Sequence, residues 1–342
     1  MNRMFVLGGV FACASALAAS SAQPADTVLV HGRIVTLDAK STVVEVLAIR
    51  DGRIVAVGAF AKVKSLIAKE TRVAQGRGKE LEDDKTLTQL LPMGFGDSML
   101  RFSGIGENVA WGVYNNDNPS EASREQFYGI CHWAASQGLA LNIHWHNDKS
   151  AGLVLDVFER VNREYPIVNL RWTLAHLEDA SEPTLKRMKS LGVGWALQDA
   201  GYFEGESQLK EKGAEAMKRL PRINSALTIG VHVGAGTDAH RVASYNPWVA
   251  LRWMLDGKTV GGAALRGPEE TPTRENALRL YTQGSAWFAF AEKERGSLEV
   301  GKLADLAVLS KDYFKVPAEE IGEIEAVMTV VGGRVVYEGV KR

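Results

Sequence analysis

Residues 139–199 read LALNIHWHNDKSAGLVLDVFERVNREYPIVNLRWTLAHLEDASEPTLKRMKSLGVGWALQD. Three short apolar runs, Leu139–His146, Leu170–Leu177 and Val193–Asp199, alternate with two amphipathic segments, Ala151–Glu164 and Glu182–Leu191. Apolar runs of this length read as strands buried on both faces, and the 3.6-residue periodicity between them reads as helix. Strand, helix, strand, helix, strand is the pattern of a parallel α/β sheet. Upstream, Leu100–Glu107 and Glu121–Ser136 add one more strand and helix. Downstream, Gly205–Leu220 is a polar helix, Thr228–Asp238 a strand and Thr273–Phe290 a helix. A closed (β/α)₈ barrel needs eight such units over ~250 residues. Here about five lie between residues 95 and 290. The predicted α/β fold is therefore a partial TIM-like (β/α) barrel. The stretch Val73–Gly96 carries no convincing strand, and its charged run Lys79–Lys85 reads as a solvated helix face or loop.

Both ends are β-rich. Thr27–Val30, Arg33–Leu37, Val44–Ile49 and Arg53–Gly58 are strand-like, with turn signals at His31-Gly32 and Asp51-Gly52. Ala304–Ser310, Ala326–Val331 and Arg334–Glu338 match them at the other end, with a turn at Gly332-Gly333. The expectation is a small composite β-sandwich from residues 23–73 and 295–342, flanking the incomplete barrel of residues 74–294. Before it, Met1–Ala22 has a basic start at Arg3, an uncharged apolar run and the small residues Ser20-Ser21-Ala22. That is the form of a secretory signal peptide, so export, to the periplasm, is expected. Val10-Phe11-Ala12-Cys13 fits a lipoprotein signal less well.

Composition narrows the function. Lys+Arg is 40 against Asp+Glu 41, a net charge of -1, so no global field recruits nucleic acid or an anionic membrane. Two cysteines, Cys13 and Cys131, exclude a disulfide scaffold. The polar groups that matter lie at strand C-termini, where parallel α/β sheets place their ligands. Glu107, His144-Trp145-His146, His176, Gln198-Asp199 and Asp238 each close a successive strand. Residues two apart on a strand point the same way, so His144 and His146 face one site. Imidazoles with carboxylates are the donor set of zinc and similar divalent ions, which acidify water for a nearby carboxylate to deprotonate. The alternative is an ordinary rim of solvated loop-mouth residues. His132, within a helix, and His31, in a turn, read as structural. His232 starts the last strand, the end away from the chemistry.

Together these residues resemble the amidohydrolase superfamily, and within it the amidohydrolase-3 group with its N-substituted formamide deformylases. The opening Val28–Leu37 and Ala48–Gly58, and the ending Gly296–Leu309 with Val331–Tyr337, carry the resemblance most specifically. It implies that His144 and His176 are metal ligands, that Asp238 is both ligand and catalytic proton shuttle, and that Glu107 lies near a bridging position. His146, Trp111 and His240 are expected to line the substrate site. The implied cofactor is a divalent metal, zinc foremost, and the implied partner is a small-molecule amide or cyclic amide. One departure is large. The family's His-x-His of barrel strand one occurs nowhere between the sandwich and Glu107. The five strands thus correspond to strands four to eight. Impaired hydrolysis is expected, with an inactive remnant, or an assembly protein self-associating through its open sheet edge, as alternatives.

Overall fold

The computed structural model describes residues 23–30, 34–35, 43–50, 53–68, 72–75, 92–97, 100–239 and 243–339. The expected leader, His31 and His240 lie outside them. The chain divides into two compact units, residues 1–78 and 79–342.

In the first unit, β1 (Thr27–Val30), β4 (Val46–Arg50), β5 (Arg53–Gly58) and β6 (Arg72–Gln75) form one sheet in the order β5-β4-β1-β6. The short strands β2 (Ile34–Val35) and β3 (Val43–Val44) pair separately. Alternation works as the pleat requires. Val28 and Val30 on β1, and Val46 and Ala48 on β4, are buried together. They pack with Val63 at the end of α1 (Phe60–Val63). β6 corrects the expectation that no strand follows Val73. It pairs parallel with β1, Val28 opposite Val73. A run of four residues carries little periodicity, so the β1 edge rather than the local sequence makes it a strand.

The second unit holds a five-stranded parallel sheet: β7 (Ile105–Glu107), β8 (Leu141–Trp145), β9 (Thr173–His176), β10 (Gly194–Leu197) and β11 (Val233–Ala235). Each strand lies beside its predecessor in sequence, with all neighbours parallel. That singly wound order is the arc of a barrel, not a doubly wound sheet. The helices α2 (Glu121–Ser136), α3 (Asp148–Asn162) and α4 (Glu182–Leu191) pack side by side in chain order. Along β8, Leu141, Ile143 and Trp145 are buried, whereas Asn142 is exposed and His144 half-buried. The opposite face also carries small residues. Gly104, Gly106, Ala140, Ala175, Ala196 and Gly234 help line a cavity of ≈ 600 Å³ there.

Caps sharpen several boundaries. Ser120, Asn147 and Ser181 each accept a hydrogen bond from a first-turn N–H of the following helix. The Asn147 cap starts α3 at Asp148, three residues before the expected Ala151. Gly192, at φ 69, ends α4 in the left-handed region open to glycine. The expected helix Gly205–Leu220 is instead α5 (Gly201–Lys212) and α6 (Ala214–Met217), separated by Gly213 at φ 81. The expected strand Thr228–Asp238 shortens to β11, because Thr228 and Ile229 finish α7 (Ile223–Ile229), closed by Gly230 at φ 84. The strand expected from Leu100 begins only at Ile105. A helix missed in the sequence, α8 (Pro247–Asp256), is capped by Asn246. The long helix expected over Thr273–Phe290 is α9 (Arg274–Arg279), a π-helical turn over Leu280–Gly284 and α10 (Ser285–Phe288). The C-terminal strands β12 (Leu306–Leu309), β13 (Ala326–Val331) and β14 (Arg334–Glu338) form an antiparallel sheet of their own. No described helix is long and apolar enough to cross a membrane.

Candidate metal centre

Neighbouring parallel strands end at one level, so residues far apart in sequence meet there. Register sets Glu107 opposite Ile143, His144 opposite Ala175 and Trp145 opposite His176. Glu107, His144 and His176 consequently converge. His144 Nδ1 lies 2.9 Å from Glu107 Oε2 and 2.9 Å from His176 Nε2. Glu107 Oε1 is 3.7 Å from His176 Nε2.

His176 is held unusually. It and Leu177 adopt left-handed backbone, φ 67 and φ 45, which bulky residues rarely enter. Such strain is of order 1–3 kcal/mol per residue and persists where surroundings over-determine it. Here Trp195 Nε1 donates to the His176 carbonyl at 2.7 Å, and the Leu177 N–H donates to the Trp145 carbonyl at 2.7 Å. Asp238, at φ 49, turns the chain in the same way after β11. Its Oδ2 stands 3.8 Å from His176 Nδ1, on the other ring nitrogen from the one facing Glu107 and His144. Asp238 thus lies beside the three-residue cluster rather than within it.

The donor set fits a divalent ion. A tetrahedral ion with bonds of about 2.0–2.1 Å spaces its ligand atoms roughly 3.3 Å apart, and the three ligand atoms here are mutually close. With the His176 proton on Nδ1, toward Asp238, the atoms that converge are lone-pair donors. Among the described residues, His176 Nδ1 is a buried atom without a hydrogen-bond partner. Burial, with the neighbouring charges of His144 and His146, pushes the His176 pKa down to about 4. A neutral imidazole is the form that can bind a metal.

His146 joins the cluster by its edge. Its Nε2 is 2.7 Å from His144 Nε2, and its Nδ1 is 3.2 Å from Glu178 Oε1. Both ring nitrogens are therefore engaged within the protein. The Glu178 hydrogen bond holds the His146 pKa above the ordinary imidazole value. Trp111 is exposed and meets Tyr114 edge-on at 5.2 Å, while Tyr114 sits 5.1 Å from the His144 ring. Trp111 thus approaches the cluster only through Tyr114. His132 binds Glu164 at 3.0 Å between α2 and the end of α3, and His232 stacks on Trp287 at 3.8 Å. Both agree with their structural readings.

Two groups, Glu178 and Tyr281, went unselected in the sequence, and Asp199 was given no role there beyond closing its strand. Glu178 follows His176 by two residues, and that proximity to a strand end was its only signal. Asp199, noted at its strand end, is fully buried with neither carboxylate oxygen hydrogen-bonded. Tyr281, on the π-helical turn, likewise has a buried hydroxyl without a partner. Nothing local marks it.

The pattern of the amidohydrolase family matches residues 20–337. The chain is 29% identical over 219 residues to an N-substituted formamide deformylase from Arthrobacter pascens, covering 63% of this chain and 40% of that protein. It is 26% identical over 212 residues to the putative amidohydrolase YtcJ of Bacillus subtilis (strain 168), covering 60% and 39%. The chain thus spans about two fifths of the length of these curated relatives. Its fold is shared with an uncharacterized metal-dependent hydrolase from Pyrococcus furiosus at TM-score 0.54 and 23% identity, covering 74% of this chain and 53% of that one. With the family pattern running through both terminal sheets and the parallel sheet between them, this chain belongs to the amidohydrolase family.

Proposed function

We propose that the chain is a metal-dependent hydrolase of C–N bonds in non-peptide amides or cyclic amides, weakened by the absence of barrel strands one to three. The observation that carries this reading is the convergence of Glu107, His144 Nδ1 and His176 Nε2 at the C-terminal ends of adjacent strands. The deformylase likeness supports an amide substrate. Glu107, His144 and His176 would hold the ion, zinc by its preference for imidazole and carboxylate donors. When bound, such an ion supplies Lewis acidity to a carbonyl and acidifies water. Asp238 Oδ2 takes the proton of the attacking water and returns it to the leaving nitrogen, the shuttle part of the role that the resemblance implies. Trp111 borders the substrate. The leader directs the chain to the periplasm.

The ligands come from one arc of sheet, so water is poorly excluded and the developing oxyanion poorly surrounded. Losing one preorganised oxyanion contact alone typically costs ~10²–10³ in rate. Zinc stoichiometry of the purified protein, with turnover on a panel of N-acyl amides and cyclic amides, tests the reading. His144→Ala and His176→Ala should each abolish tight zinc binding, and His132→Ala should leave it intact. Slow hydrolysis should disappear with the zinc. Zinc retained by both site variants would overturn the assignment. A second reading, an assembly protein, is favoured by one observation: among the described residues no strand pairs with the outer edge of β7.

A further inference from the structure

Below the converging donors, the sheet face that carries His144 is open. In a closed barrel the inward side chains of all eight strands fill the interior and leave a packed core. Here five strands present that face, and Gly106, Ala175, Ala196 and Gly234 keep its floor low. The groove of ≈ 600 Å³ that results is continuous with the metal centre, because Glu107, His176 and Asp238 line its upper end. Its lower end reaches Arg171, just before β9. Along the β8 line, Ala140 to His144 spans about 13 Å at ~3.3 Å per residue. A Cβ at Gly194 or Gly234 would strike the Phe288 ring, so that ring lies against β10 and β11 and walls the groove on their side. We propose that this groove is a substrate subsite: it takes an uncharged, unbranched, largely apolar substituent of the amide, laid along the strands below the metal centre, with Asn142 hydrogen-bonding an amide group near the head of that substituent. The inference rests on the reading of the sheet mouth as the reaction centre.

Charge sets the first constraint. Arg171 forks onto Glu292, Nη2 to Oε1 at 2.7 Å and Nη1 to Oε2 at 3.0 Å, and lies 4.3 Å from the centre of the Phe290 ring. Its charge is matched within the protein, so the lower end holds no free cation for a ligand. A carboxylate or ammonium carried down there would lose its water against glycine and alanine and gain no partner.

Hydrogen bonding sets the second. Thr173 Oγ1 donates to the Arg171 carbonyl at 3.0 Å, and Ser285 Oγ donates to the Ala235 carbonyl at 2.7 Å. Gln198 Nε2 donates to Glu178 Oε1 at 3.4 Å, and Gln198 Oε1 accepts the Ala200 N–H. These lining groups have spent their hydrogens. Asn142 is different: it is exposed, and its carboxamide has no partner among the described residues. It precedes His144 by two residues on the same face, and so lies about 7 Å below it. A carboxamide both donates and accepts, which suits a second amide at that distance from the metal. The volume points the same way, being that of a site for a drug-sized ligand and far beyond what a formyl or acetyl group fills.

The probe is N-octanoylglycinamide, with two amides in its head and a neutral unbranched tail. N-acetylglycinamide keeps the head alone, and N-(7-carboxyheptanoyl)glycinamide ends the same tail in a carboxylate. Each is titrated calorimetrically into the full chain, once with zinc added and once with zinc chelated. A buried methylene is worth up to about fourfold in affinity. The octanoyl probe should therefore bind at least about 30-fold tighter than the acetyl one in both conditions, and the carboxylated tail should forfeit most of that gain. Ala196→Leu raises a side chain from the groove floor and should bring the octanoyl probe down toward the acetyl one. Asn142→Ala, at an exposed position, should weaken both neutral probes about 2–10-fold. Leu298→Asp, in the neighbouring apolar groove beside α9 and β12, should alter neither. Equal affinity for the octanoyl and acetyl probes, or a carboxylated tail that binds as well as the neutral one, would overturn the subsite. So would a tail advantage that survives Ala196→Leu, or one seen only at dilutions where the chain is monomeric, since a second copy would then fill the groove. Should Ala196→Leu fail to fold, the carboxylated tail and Asn142→Ala still decide. Zinc bound without any tail advantage leaves the metal reading standing and sinks the subsite; a tail advantage in a chain that binds no zinc does the reverse.

Discussion

Asp199 shows how far one side chain can be displaced from its solution chemistry. It follows β10, is fully buried, and neither oxygen accepts a hydrogen bond. Burial, reinforced by the Asp238 charge, pushes its pKa up to about 7 from 3.8. The sign follows. Between about 4 and 7 the unfolded chain has released this proton while the folded chain keeps it, so the folded state binds more protons. Stability from this group is present at low pH and is lost as pH rises through that window. At roughly 1.4 kcal/mol per pH unit of difference, the penalty at pH 8 reaches a few kcal/mol at most. Asp199→Asn, of equal size and never charged, should therefore raise the melting temperature by several degrees in alkaline buffer and not at acid pH. Thermal melts across that range check it, and a gain independent of pH would contradict the ionisation argument.

At the scale of elements, the edge strand β11 is closed by the π-helical turn Leu280–Gly284, which packs directly on it. The extra residue in such a turn re-aims its side chains, and π turns favour functional sites. Close approach depends on Gly284, where a Cβ would run into the Val233 carbonyl oxygen and the Gly234 backbone. Gly284→Ala should destabilise by about 1–3 kcal/mol, the usual range for overpacking. Gly129 is the counter-case. It lies inside α2, and a Cβ there meets nothing within 4 Å. Gly129→Ala should stabilise by roughly 0.5–1 kcal/mol. Urea unfolding of the two variants measures both. A π turn that tolerates alanine would mean that β11 and the turn are less closely joined than their packing implies.

For the molecule as a whole, the consequential feature is an open sheet. Among the described residues β7 has no partner on its outer side. Unpaired edges template association unless charges or cover protect them. β14 is exposed along its length, with Val335, Val336 and Tyr337 more than half exposed. A net charge of -1 offers almost no long-range repulsion. The chain should therefore self-associate, its mass by light scattering rising with concentration. A monomer of constant mass over a hundredfold dilution series (roughly the span in which weak contacts saturate) would count against the edge as an interface.

Much of this was legible in the chain because it is local. The helices Glu121–Ser136 and Glu182–Leu191, and the strands Arg53–Gly58, Ala326–Val331 and Arg334–Glu338, have the bounds expected from periodicity and turn residues. Glu107, His144 and His176 were candidates because a strand's polar end announces itself. What sequence could not supply was anything set by register between segments distant along the chain. β6 is a strand only because the edge of β1 lies beside it. Asp238 points to one nitrogen of His176 and not the other because of the backbone turns after β9 and β11. Glu178 meets His146 across 32 positions because adjacent parallel strands end together. Residue types and their spacing determined which donors are available at the sheet's mouth. Only the packing of strand on strand decided which of their nitrogens and oxygens face one another, since hydrogen-bond geometry is a property of positions in space and not of order along a chain.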